Sequence, residues 1–499
     1  MIYFLFIFFF LYFFLTLYYP QWAMFLICAL LPAYQIRFQF FGLPTTFLEI
    51  MILLLFISWF INRLRIKGLR LKIEGLKDWG WLILVWLIVG LVAVIVSPDK
   101  WGALGYWRAY FLEPIFLLII FLGLSKSDSN TQISTNETNA SSETTKSLQN
   151  CKDNIQNYST IYTNRGNSFL ELILNALGIS AFYCSLWAIS QKWLGGGVMS
   201  TEIWGAAKVW RATGPFPQPN FLGLYLTPII ILIIGQFFSY IFDLKSSAKY
   251  HDRDKKKRVV KFFKKIFQIC FYCLIIILSI IAIILARSEG AILGLFVGLI
   301  FSGLIYRKSR KLVLIGLIIL IIIIFSLPAM RNYLITKFTF QDLSGQLRLN
   351  IWQGTIKLLK DHPIFGAGLR GYQKLIPQYQ KPYYSPKTKE LISVEIHPYP
   401  HNLFLAIWSE LGILGLIVFL WILIKFFYQG FKNATLNTRI HPNDSNKIFS
   451  FSFLIFNLSA MVALLTHGTF DTPYFKNDLA ILFWLIVGLM IVQNKNGKK

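Results

Sequence analysis

The segment His397-Pro-Tyr-Pro-His401-Asn402 lies where a long polar stretch ends and the apolar run Leu403 to Ile424 begins. An imidazole titrates near ~6.5 in the absence of perturbation, so a histidine fixed there can take a proton from a hydroxyl at neutral pH. Other polar residues stand out at the same kind of boundary. Arg211 begins Arg-Ala-Thr-Gly-Pro-Phe-Pro-Gln-Pro-Asn220, Arg287 sits in Ala-Arg-Ser-Glu-Gly between two apolar runs, and Arg348 lies in Gly-Gln-Leu-Arg-Leu-Asn-Ile-Trp352. Asp471 falls in His467-Gly-Thr-Phe-Asp-Thr-Pro-Tyr, and Glu410 lies nine residues beyond His401. Guanidinium groups bind phosphate oxygens in bidentate fashion. Three arginines and one near-neutral base therefore suit a lipid diphosphate and an incoming hydroxyl.

Each residue also has a plainer reading. An arginine at a span end snorkels to headgroups. His401 can simply precede a helix capped by Asn402, and His397 can be an ordinary loop residue. Asp471 can open a turn before Pro473, and Glu410 can face a polar cavity. The helix carrying Trp352, with Leu347, Ile351, Thr355 and Leu358 on one face, can lie against the membrane. The conjunction favours chemistry over these separate readings.

The elements that position these residues are membrane helices. With 56% hydrophobic residues and repeated apolar runs near the ~20 residues that cross a bilayer, the chain reads as an all-α polytopic integral membrane protein. The runs lack the two-residue alternation of barrel strands. Spans are expected near 3–19, 21–36, 42–61, 80–97, 108–124, 168–190, 219–242, 266–285, 290–306, 312–328, 402–424, 449–467 and 478–493, giving 12 or 13. The net charge of +26 would suggest nucleic acid on a soluble protein, but here the bases cluster in short loops. Loops 62–79 and 244–265 and the run Arg307 to Lys311 then lie in the cytoplasm by the positive-inside rule. Alternation adds 125–167, 425–448 and the C-terminus to that side. It leaves 191–218, 287–289, 329–400 and 468–477 outside, where the singled-out residues collect. Loop 329–400 is expected to hold short helices.

Three regions follow. Residues 1–190 carry N-terminal spans and a Ser/Thr/Asn-rich linker at 125–167, 191–425 carry the candidate site, and 426–499 carry the last spans and a basic tail. The sequons at Asn136, Asn139 and Asn157 have no weight in a cytoplasmic linker. Five scattered cysteines make no disulfide framework, and Cys270 with Cys273 is expected to be a buried apolar pair. His362 is expected in a helix-end turn. Tyr372, Tyr379, Tyr383, Tyr384 and Tyr399 suit either sugar faces or a membrane interface.

From about Gln191 to Phe475 the chain resembles the O-antigen ligase and polymerase superfamily of bacterial envelope glycan enzymes. The most specific match is His401-Asn402, nine residues, Gly412, two residues and Gly415. Arg211 with Gly214 and Pro219-Asn220, Arg287 with Gly290 and Leu293-Gly294, Arg348 with Trp352, His362-Pro363-Ile-Phe-Gly366-Ala-Gly368 and Asp471-Thr-Pro473 extend the likeness. One departure is Glu289, where members often have Ser-Arg-Gly. The resemblance implies a metal-independent glycosyltransferase without cofactor, taking a glycan from an undecaprenyl-diphosphate carrier at the outer face of the inner membrane. The acceptor would be a lipid, glycan or protein hydroxyl. The resemblance also assigns His401 as base and Arg211, Arg287 and Arg348 to the diphosphate. Asp471, Asn402, Glu410 and Trp352 support the site or the acceptor. A polysaccharide polymerase or protein O-oligosaccharyltransferase uses the same chemistry. A transporter or lipid flippase is disfavoured because the unusual charges sit at one face rather than the midplane.

Overall fold

The computed structural model describes residues 2–40, 43–65, 76–125, 168–200, 209–247, 255–384, 391–393, 397–437 and 445–496. The linker at 125–167, with Cys151 and its sequons, lies outside them apart from Ser125. Nine helical stretches among these residues are long and apolar enough to cross a membrane, and four shorter apolar helices accompany them. They correspond one for one to the spans read from the sequence, and the chain is an all-α polytopic membrane protein.

The helices in order are α1 (Ile2–Tyr18), α2 (Pro20–Ala29), α3 (Phe47–Arg65), α4 (Leu76–Val96), α5 (Lys100–Trp107) and α6 (Glu113–Leu124). A π turn, Arg108–Leu112, joins α5 to α6. Then come α7 (Ser168–Leu194), α8 (Pro219–Ser247), α9 (Lys255–Ala286), α10 (Glu289–Ile305) and α11 (Arg307–Ser326). The loop expected to lie outside holds α12 (Pro328–Phe338), α13 (Leu343–Asp361) and α14 (Tyr372–Leu375), and α15 (Leu403–Asn437), α16 (Ser445–Gly468) and α17 (Asn477–Asn496) complete the bundle. Among the described residues strands are confined to three short antiparallel pairs, including Val198–Ser200 with Val209–Arg211.

Two expectations need correction. The second span, expected over 21–36, is a ten-residue helix followed by a 3-10 turn, Leu31–Gln35. Pro32 has no N–H to continue the α-ladder, and ten helical residues cover only about 15 Å. Cys270 and Cys273 are exposed on α9, facing outward from the bundle rather than packed within it.

The two ends of the bundle keep to themselves. At one end Trp79 Nε1 donates to Gln429 Oε1 at 3.0 Å and Arg63 reaches the Gly123 carbonyl. At the other, Gln35 Nε2 donates to Pro215 O at 2.7 Å, Ala212 N to Leu285 O at 3.1 Å and Leu369 N to Ala93 O at 2.9 Å. The ends of α3, α4, α6 and α15 thus meet at the first end, and the segments around Gln35, Ala93, Ala212, Leu285 and Leu369 meet at the second.

Helix α15 is broken where the site is anchored. Gly412 has φ 73° and ψ −178°, a region open essentially to glycine alone. Its break frees the Ser409 carbonyl, which accepts from Ala367 N at 2.7 Å, while Ile413 N donates to Ile364 O at 3.1 Å. In an unbroken helix Ile413 N would donate to Ser409 O. The His362–Gly368 turn thus inserts into the ladder of α15. Gly366, at φ 64°, packs so closely on this helix that a Cβ would lie 2.4 Å from Ser409 O. His362 occupies the C-cap of α13, as the helix-end reading expects.

Candidate functional site

His401 sits at the start of α15 with φ 48°, a left-handed conformation rare for side chains other than Asn or Asp. Bonds on both sides hold it there. Trp352 Nε1 on α13 donates to Pro400 O at 2.9 Å, and Asn402 Nδ2 donates to Thr469 O at 3.0 Å. Asn402 Oδ1 also accepts from Leu405 N at 3.0 Å, capping α15. Trp352 and Asn402 therefore fix the backbone that aims the imidazole.

The imidazole meets Asp471. Nδ1 lies 3.5 Å from Asp471 Oδ1, and the aspartate is 1% exposed. Burial by itself would raise this carboxyl, yet His401 and the Lys476 ammonium hold it below the usual carboxylate range. A carboxylate there favours the tautomer with the proton on Nδ1, leaving Nε2 as the acceptor of a substrate proton. The rings of His397 and Tyr399 stand edge-on to His401 at 5.2 and 5.3 Å.

Arg348 lies on α13 one turn before Trp352. Its Nη1 donates to Ser344 Oγ at 2.6 Å and its guanidinium stacks 5.9 Å from the Phe470 ring, next to Asp471. Arg211 leaves its strand toward the turn between α9 and α10. Nε donates to Ala286 O at 2.8 Å, and Nη2 to Asn220 Oδ1 at 2.8 Å and Arg287 O at 3.4 Å. It therefore caps the carbonyl end of α9 as well as contributing charge. Arg287 occupies that turn with φ 48° and is exposed; among the described residues its guanidinium makes no hydrogen bond or ion pair. Burial, with the Arg287 and Arg348 cations, pulls the Arg211 guanidinium below its usual range, and Glu289 opposes them. Arg211 thus lies in the field of the other two arginines.

Glu289, the departure noted above, turns away from Arg287. It takes the Lys337 ammonium of α12 at 2.8 Å and the Tyr333 hydroxyl at 3.0 Å. The Arg287 turn keeps its cation unmatched despite the added acid.

Glu410, buried in α15, accepts the backbone amides of Arg370 and Tyr372. It holds the outer-loop turn at α14. Tyr372 is fully buried, its hydroxyl on Thr355 at 2.8 Å, so it leaves the group of candidate sugar-facing tyrosines. Nothing is described of the Tyr383 and Tyr384 side chains.

Sequence reasoning passed over Lys476. Its ammonium is buried 3.2 Å from the Phe221 ring centroid and 5.0 Å from that of Tyr399. Burial lowers it, and Asp471 and Asp478 sustain its charge. The only hint in the sequence is a lysine in a short loop between apolar helices. Among the described residues no three His, Cys, Asp or Glu side chains group as a metal site.

His401 is thus paired with Asp471, while the separate His362–Gly368 turn inserts into α15 at Gly412. Residues 274–420 match the model of the O-antigen ligase family. The match spans Arg287, Arg348, Trp352, His401, Asn402, Glu410, Gly412 and Gly415, so the resemblance read from the sequence stands on this stretch. Arg211 and Asp471 lie outside it and join the O-antigen ligase region through the fold. No curated protein matches the chain. The match supports a multi-pass, inner-membrane, glycan-processing enzyme of the O-antigen ligase or polymerase type, whose partners are a lipid-linked glycan and an acceptor.

Proposed function

We propose that the protein is an inverting glycosyltransferase that moves a glycan from an undecaprenyl-diphosphate carrier to an acceptor hydroxyl at the outer face of the inner membrane. The observation that carries this reading is the His401–Asp471 pair at the same bundle end as Arg211, Arg287 and Arg348. His401 Nε2 takes the acceptor proton as the hydroxyl oxygen bonds to the anomeric carbon. The bond from that carbon to the diphosphate oxygen breaks, and its electron pair leaves with the polyprenyl diphosphate. Attack opposite the leaving group inverts the anomeric centre. Asp471 stabilises the imidazolium, and the arginines meet the charge growing on the diphosphate. On this reading, of the three regions 1–190, 191–425 and 426–499, the middle one carries the chemistry and the last supplies Asp471.

Transfer of purified protein in detergent, from a lipid-diphosphate glycan to candidate acceptors, tests this directly. Product analysis showing retained anomeric configuration would overturn the inverting step. Arg348→Lys is expected to lower kcat/KM about 10- to 100-fold, because lysine keeps the charge but loses the planar fork. Arg211→Lys should additionally lower thermal stability, since it loses the α9 carbonyl contacts. Full activity in both variants would return the arginines to a role at the lipid headgroups.

Sidedness has its own measurement. A cysteine at exposed position 357 on α13 should react with a membrane-impermeant maleimide in intact cells, and one at 311 should not. The reverse pattern would place the site in the cytoplasm.

A further inference from the structure

The Tyr399 ring is shared between His401 and a pocket. Tyr399 forms one wall of a recess that also takes in Tyr106, Phe475, Arg370, Gln373 and Glu410. Arg211, Arg287 and Arg348 are not among its lining residues, so this recess is separate from the arginine group. Its elements are α5, the turn into α14, the start of α15 and the loop before α17.

The charges around the recess already have partners. Arg370 Nη1 lies 3.2 Å from Asp99 Oδ2, and its guanidinium rests 5.4 Å from the Tyr106 ring. Lys374 approaches the same Asp99 oxygen at 3.8 Å. Glu410 is engaged by the amides of Arg370 and Tyr372. A phosphate or carboxylate entering here would have to compete with Asp99 for Arg370. An uncharged sugar would not. Its faces suit the Tyr106 and Tyr399 rings, and its hydroxyls suit the exposed Gln373 amide and remaining guanidinium N–H groups.

We infer that this recess binds an uncharged sugar ring, the acceptor residue whose free hydroxyl is presented to His401. That the sugar is the acceptor rests on the proposed transferase activity; the sugar site itself does not. On this assignment the incoming nucleophile belongs to a neutral glycan segment. The diphosphate and the acceptor then occupy different surroundings, one cationic and one whose arginine is already paired with Asp99, with the imidazole at their junction.

Saturation-transfer NMR tests the site without any turnover. Purified protein in a detergent lacking a sugar headgroup is mixed with methyl glucoside, methyl galactoside, methyl mannoside and glucose 6-phosphate. At least one methyl glycoside should receive saturation, more strongly than the phosphate. Gln373→Ala and Tyr106→Ala should each weaken that binding by roughly two- to tenfold, the range for losing one aromatic or hydrogen-bonding contact. Gln373 is exposed, so its variant keeps the test valid if Tyr106→Ala unfolds. Absence of saturation in all three glycosides, preference for glucose 6-phosphate, or unchanged binding in Gln373→Ala would overturn the inference. A parallel transfer assay on His401→Ala separates the two proposals. If that variant still transfers while the binding pattern holds, the sugar site stands and the base assignment falls. If it is inactive and no glycoside binds, the reverse applies.

Discussion

Alanine at position 401 is expected to reduce glycan transfer by about 10²- to 10⁴-fold, the usual worth of a general base, while binding of the lipid-diphosphate donor persists. On the proposed reading the arginines hold the donor, and their contacts do not pass through the imidazole. One complication is built into the backbone. His401 adopts φ 48°, which alanine tolerates poorly. His401→Asn is the cleaner variant, because asparagine enters the left-handed region readily and has no basic nitrogen at neutral pH. Both variants should lose transfer, and His401→Asn should retain the melting temperature of the native protein. Initial rates at saturating donor, together with donor affinity, check the expectation. A His401→Asn protein that transfers at the native rate would end the assignment of this residue as base. Asp471→Asn should fall between native and His401→Asn, since it preserves the shape of the pair but withdraws the charge that steadies the imidazolium.

Gly412→Ala is expected to cost about 3 kcal/mol or more, combining backbone strain of ~1–3 kcal/mol with the loss of two hydrogen bonds at ~0.5–1.5 kcal/mol each. The added Cβ would fall 1.9 Å from Ile364 O, on a backbone at φ 73°. Neither problem has a local remedy, because the obstructing atom is main chain. Gly316 in α11 supplies the comparison. A Cβ there meets nothing within 4 Å, and alanine in a helix interior is favoured over glycine. Thermal melts in detergent should therefore show a clear loss for Gly412→Ala and none for Gly316→Ala. Equal melting of Gly412→Ala and native protein would mean that the inserted turn does not hold the helix.

The membrane architecture was legible because bilayer thickness sets the length of whole apolar segments. The thirteen apolar runs correspond to thirteen apolar helices among the described residues, and only the second was misjudged in form, where Pro32 ended it early. The singled-out arginines and His401 were legible as isolated polar residues in greasy surroundings. Their division of labour was not. Arg211 bonds to Ala286 and Arg348 to Ser344, contacts that depend on how distant helices meet. Glu410 was visible as an unusual acid in an apolar run, but its bond to the Arg370 amide requires the loop to fold back over α15. Lys476 escaped notice for the same reason. A lysine in a short loop is ordinary until Phe221 and Tyr399, both far away in sequence, are found to enclose it. Tyr372 shows the opposite error, since an aromatic residue in a polar loop reads as available when it is fully buried.

The exchange of partners at Gly412 makes the outer loop and the histidine's helix answer to one event. Ser409 O and Ile413 N, once each other's natural partners, depend on Ala367 and Ile364 instead. A fluctuation that lifts the turn leaves a carbonyl and an amide of α15 without partners together. The ground on which His401 stands is consequently only as durable as a turn some forty residues earlier in the chain, and opening of that turn and loosening of the site are a single transition.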